Sequence, residues 1–360
     1  MTETLSQLST VFIYVAMGFY AAAFIAFALD LARRGARATA EEAAVVPSAV
    51  ARRAEVAQPV GATAARMSGS GGGAEAPPVA PPSSALGRLS SRISTRLEDD
   101  VMNGAASSAS IKWAFGFTIV GWGFHLIATV LRGIAADRVP WANMWEFSLT
   151  GTLVIVGVFL VSNLKWDIKY LGTFIIGLVL VLQGIALLRY YVPVVPLQPA
   201  LQSYWLVIHI IVAVLGTAFF ALGFALSGLQ LLQYRRERQI AESQPQQFRF
   251  LATLPSAVAL ENLAYRINIV GFIAWTFTLI AGAIWAEKAW GRYWGWDTKE
   301  VWTFIIWVIY AGYIHARATR GWRGSRSAWL AIIGFAAVLF NFGVVNVFFH
   351  GLHAYSGLGS

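Results

Sequence analysis

The chain contains no cysteine, so it has no thiol nucleophile, no disulfide and no cluster-binding thiolate of its own. That absence leaves its compartment open, since disulfide-free proteins occur in both reducing and oxidising ones. Charge is scarce too: Asp, Glu, Lys and Arg make up 12% of the 360 residues. Soluble domains usually carry about 25%. Histidine is limited to His125, His209, His315, His350 and His353. A zinc site needs roughly four ligands in tetrahedral array, and no close His/Asp/Glu cluster supplies them here.

Apolar residues occupy the remaining space, at 57% of the chain and a mean hydropathy of +0.60. They recur in runs of about 20, the length with which a helix crosses a bilayer. The sequence therefore reads as an all-α polytopic membrane protein of about eight transmembrane helices with an extracytoplasmic tryptophan-rich loop. The expected spans are 11–31, 111–131, 147–163, 170–188, 204–232, 267–285, 301–316 and 327–349. Residues 1–32 form an amino-terminal anchor, because residues 1–10 lack the basic start of a signal peptide. Residues 33–110, dominated by Ala, Gly, Pro, Ser and Arg, read as a disordered cytoplasmic linker. Residues 111–360 form one seven-helix domain.

Lys and Arg number 27 against 18 acidic residues. Their placement argues against nucleic acid. With the amino terminus outside, the outer loops hold only Arg132, Arg138, Arg189, Lys288, Arg292 and Lys299. The other basic residues fall inside, as the positive-inside rule requires.

The stretch 285–302 packs five tryptophans, one tyrosine and six charged residues into eighteen positions between two apolar runs. An interfacial aromatic belt accounts for one or two tryptophans at that depth. Five in one loop, with Asp297 and Glu300 among them, suit a flat amphipathic ligand, because Trp offers a large rigid face and one polar handle. His209 lies about two turns inside the outer end of the fifth span. His353 leaves the outer end of the eighth at the same level. Two imidazoles facing across an aromatic shelf can hold a haem iron by both axial positions. His315, near the inner end of the seventh span, is a candidate ligand for a second haem. His125 is poorly levelled to share that iron with it.

The segment Trp290-Gly291-Arg292-Tyr293-Trp294-Gly295-Trp296-Asp297-Thr298-Lys299-Glu300 resembles the "WWD" signature of haem-handling proteins. Within that group, residues 111–360 are similar to cytochrome c biogenesis proteins of the CcsA/ResC type (CcsB in actinobacteria). Support comes from Pro140–Glu146, from the stretches around His209 and His315, and from Gly351-Leu352-His353-Ala354-Tyr355. Trp145 stands where the family more often has Tyr. His350 stands where it more often has a small residue, so it competes with His353 as a ligand.

The resemblance implies the membrane haem-handling subunit of a two-protein, system II cytochrome c synthase. It implies His209, His353 and His315 as axial ligands of a transient haem b, with Trp290, Trp294, Trp296, Asp297 and Glu300 around it. The expected partners are a ResB-type membrane protein and apocytochrome c bearing Cys-x-x-Cys-His. The location is the bacterial plasma membrane, with the loop and carboxyl terminus outside. Asp297 and Glu300 either orient ligands or cap the seventh helix. Lys288, Arg292 and Lys299 either pair with propionates or snorkel. A haem exporter that presents haem without ligating it, and a b-type cytochrome subunit, are the competing functions.

Overall fold

The computed structural model describes residues 2–56, 108–195, 201–244, 248–319, 322–349 and 351–353, leaving aside the side chains of 38–56 and 249. Among them the regular elements are all helical. The long helices are α1 (Thr2–Val56), α2 (Ala109–Ala136), α3 (Met144–Ser162), α4 (Gly172–Ile185), α5 (Tyr204–Ala241), α6 (Ala257–Trp290), α7 (Thr298–Ala318) and α8 (Ser325–Phe340). A short helical turn, α9 (Asn346–Phe348), follows α8 after a π-helical turn at Asn341–Val345. Seven of the eight have the length and composition to cross a membrane, α4 and α8 when counted with their flanking turns as Lys169–Tyr190 and Ser325–Phe348. The other, α7, is diluted by Lys299, Glu300, His315 and Arg317 at its ends. Large apolar side chains such as Val130, Val161, Val181, Ile273 and Phe277 stand exposed along the helices, where lipid replaces water. The chain is a multi-pass membrane protein.

One boundary differs from expectation. Helix α1 continues to Val56, although disorder is expected from residue 33. Eight alanines, with Arg and Glu among them, fill 33–56. Such residues propagate a helix without needing a buried face, and the membrane segment has already supplied the costly nucleus. The rest of the expected linker, 57–107, lies outside the described residues.

The helices form two four-helix halves, α1–α4 and α5–α8, joined where α3 packs on α5. In the first half, α1 and α2 lie along each other through Phe19 stacked on Phe124 at 5.5 Å. The Ser9 hydroxyl also donates to the Ala128 carbonyl at 2.7 Å. In the second, Phe220 of α5 stacks on Tyr310 of α7 at 3.6 Å. Phe224 stacks on Phe335 of α8 at 5.0 Å. Trp275 of α6 donates its indole N–H to the Thr303 carbonyl of α7, which ties the two helices that flank the tryptophan-rich loop.

Candidate functional site

The loop end of the molecule is organised by two helix starts. Asn143 caps α3 by accepting from the Glu146 amide at 2.9 Å. Glu146, fully buried, then receives Arg132 at 3.0 Å, Arg138 at 2.7 Å and the Ala142 amide at 2.9 Å. Arg132 reaches on to Ser6 of α1 and to the Val192 carbonyl beyond α4. One carboxylate thus gathers all the elements of the first half. Neither arginine is an interfacial anchor: both spend their charge on Glu146.

The second start is that of α7. Asp297 accepts from the Lys299 amide, and Glu300 reaches back to the amides of Asp297 and Gly295 at 3.1 and 2.8 Å. This reciprocal capping box satisfies amides that the first turn leaves orphaned. Asp297 has a further task. Its Oδ1 accepts from the Leu352 amide at 3.1 Å, and its Oδ2 bonds Nδ1 of His353 at 2.8 Å. The His353 hydrogen bond holds the Asp297 carboxyl below the ordinary carboxylate range.

His209 and His353, 144 positions apart in the chain, meet on one tryptophan. His209 stacks on Trp285 with centroids 5.9 Å apart and planes 16° apart. His353 presents its edge to the same ring at 5.4 Å and to Trp290 at 4.8 Å. His209 Nδ1 lies 3.0 Å from the Thr278 carbonyl, which can only accept, so Nδ1 carries the proton. A hydrogen bond at Nδ1 of each ring leaves Nε2 available as a ligand atom, the usual arrangement of metal-bound histidine. Gly282 makes the space for the His209 ring: a Cβ there would lie 2.8 Å from it.

Both histidines line a largely apolar cavity of about 470 Å³ between the two halves. Its walls come from α3, α4, α5, α6 and α8 and from the start of α7 through Lys299, Glu300 and Thr303, and Tyr293 and Trp294 contribute from the loop. Lys299 turns inward rather than snorkelling. Its ammonium donates to the Asn341 carbonyl at 2.9 Å and to Asn346 Oδ1 at 2.8 Å. The first acceptor lies in the π turn of α8.

Of the residues singled out in the sequence, the structure brings together His209, His353, Trp290, Trp294, Asp297 and Glu300. Trp296 stands apart, 73% exposed with φ at 60°, and contacts Trp294 edge-on. His315 is exposed at the other end of α7. Seventeen residues separate it from Thr298, about 25 Å of helix. His125 is a satisfied core residue, bonded to the Tyr20 hydroxyl at 3.2 Å and the Leu149 carbonyl at 2.9 Å. His125 and His315 therefore do not face one another as a ligand pair. His350 lies outside the described residues.

The sequence marks Trp285 only as one of the five loop tryptophans and gives no sign of Thr278 or Gly282. They sit at one- and two-turn spacing on a single face of α6, a signal hidden because Thr and Gly look like ordinary small helix-packing residues.

Comparisons with known proteins point the same way. A family model described as cytochrome C assembly protein matches residues 141–353, a span that contains both histidines and the loop. The chain is 32% identical over 286 residues to the cytochrome c biogenesis protein CcsA of Trieres chinensis, covering 70% of this chain and 91% of that one. Against the CcsA of Guillardia theta it is 33% identical over 261 residues, 66% of this chain and 86% of the other. Among solved structures, a cytochrome c haem lyase, CcmF, is similar with a TM-score of 0.50 and 18% identity. That likeness is one of fold; it covers 80% of this chain and 52% of the lyase.

Proposed function

The chain belongs to the cytochrome C assembly protein family, and on that premise we propose that it is the membrane haem-handling subunit of a cytochrome c synthase. The observation that carries this reading is the convergence of His209 and His353 on Trp285 at one cavity, each with Nδ1 engaged. The substrate is haem b, held without a covalent bond. His209 and His353 would take the two axial positions of the iron, and Trp285, Trp290 and Trp294 would line the porphyrin.

Lys299 faces the cavity, and a haem propionate could take the place of its Asn341 or Asn346 acceptor in a charge-assisted contact. The haem vinyl groups and the two thiols of a Cys-x-x-Cys-His segment supply the bond-forming chemistry. The protein's part is to fix the plane, exclude water from the inner edge and leave the outer edge to the apocytochrome. The distribution of Lys and Arg supports a loop and carboxyl-terminal tail that face out of a bacterial plasma membrane. The exposure of His315 at the opposite end supports a second ligand contributed by a ResB-type partner.

The test is reconstitution with that partner and an apocytochrome c as the only other proteins. Covalent haem, read by haem staining after denaturation, is the expected result. Attachment only after a third protein is added would favour the rival that presents haem and leaves ligation to another enzyme.

A further inference from the structure

The two histidines are held differently. His209 is built into the second turn of α5, and its Nδ1–H points to a neutral main-chain carbonyl, that of Thr278. His353 lies beyond the last helical turn, and its Nδ1 meets a carboxylate, that of Asp297. Asp297 also fixes the Leu352 amide, so one side chain clamps two consecutive residues of the tail. Gly351 makes this approach possible, since a Cβ there would collide with the Asp297 carboxylate. The Lys299 amine, the nearest basic group, gives its hydrogen bonds to Asn341 and Asn346 and leaves the Asp297 oxygens to His353 and the main chain.

We infer that Asp297 is the positioning residue of the site: it turns Nε2 of His353 toward the chamber and makes His353 the stronger donor of the two axial histidines. The inference rests on the haem reading above and adds an asymmetry to it. A carboxylate on Nδ1–H draws the proton and pushes electron density toward Nε2, which raises ligand basicity. A neutral carbonyl does so far less. The result is a site that favours the ferric ion more strongly through His353 than through His209. Asp297 touches neither iron nor porphyrin; it acts through His353.

Asp297→Asn separates this role from helix capping, because Asn caps a helix about as well as Asp and its one oxygen can still face Lys299 and His353, while the charge and the acceptor for the Leu352 amide are removed. The full-length protein is loaded with haem, and its midpoint potential and ferric and ferrous haem affinities are measured. The expected results are a folded protein with a melting temperature lowered only slightly, a higher potential and a ferric affinity lower by ~10–100-fold, with a smaller ferrous loss. Asp297→Ser, which also caps but is too short to reach His353, should shift the potential further and alter the six-coordinate spectrum. In a His353→Ala background, Asp297→Asn should add no shift.

A wild-type potential and ferric affinity in Asp297→Asn would overturn the inference while the haem reading stood. A shift that persists without His353 would also overturn it, because Asp297 would then act through its bare charge. Wild-type protein that takes up no haem would remove the haem reading, and the inference with it.

Discussion

Glu146 answers two guanidiniums from a position with no exposed surface, and Arg132 is itself 1% exposed. Removing one partner of such a buried group leaves the others charged and unsolvated, a loss of about 3–5 kcal/mol. Glu146→Ala should therefore lower the detergent-solubilised melting temperature sharply, whereas Arg238→Ala, which breaks an exposed pair with Glu242, should barely move it. Equal melting temperatures for the two variants would contradict the assignment of Glu146 as the tie of the first half. Trp296 is the converse case at this scale. Its left-handed backbone costs roughly 1–2 kcal/mol for a residue with a Cβ, and it carries the ring out to the surface. Spacing alone does not distinguish Trp296 from Trp294, because a sign change in one φ angle is not written in residue type.

At the scale of the element, α6 is the helix that builds the chamber: Thr278, Gly282 and Trp285 lie on one face, and each meets His209. Gly282→Ala places a methyl where the imidazole now lies and should displace His209 without disturbing the packing of α5 on α6 elsewhere. The expected outcome is a normal melting temperature with weakened haem binding and an altered Soret band; unchanged haem binding would show that the His209 ring has room to spare. Helices and their order were legible from apolar runs, since each run needs to match one bilayer thickness. Their ends were not. Helix α1 outruns its apolar segment on alanine propensity, and α8 passes into a π turn whose Asn341 carbonyl accepts from Lys299. His209, His353 and the loop were legible because imidazole and indole are rare and chemically specific. Trp285 as their meeting point required the three-dimensional arrangement.

For the whole molecule, a single crossing by α7 puts the loop and the start of α8 on opposite sides of the membrane. The cysteine-free chain makes this directly measurable. Trp296→Cys should react with a membrane-impermeant maleimide on intact cells, and Arg323→Cys only after permeabilisation; the reverse pattern would invert the topology. The two halves meet at the chamber, so substrate affinity and the joining of the halves belong together: haem should raise the melting temperature of wild-type protein by mass action.

The most direct measurement is the pyridine-haemochrome and absorption spectrum of protein purified with its ResB-type partner, for wild type, His209→Ala and His353→Ala. The expected result is non-covalent haem b in the wild type, and haem lost or reduced to one protein ligand at this site in each variant. Equal haem content with identical spectra in all three would contradict it.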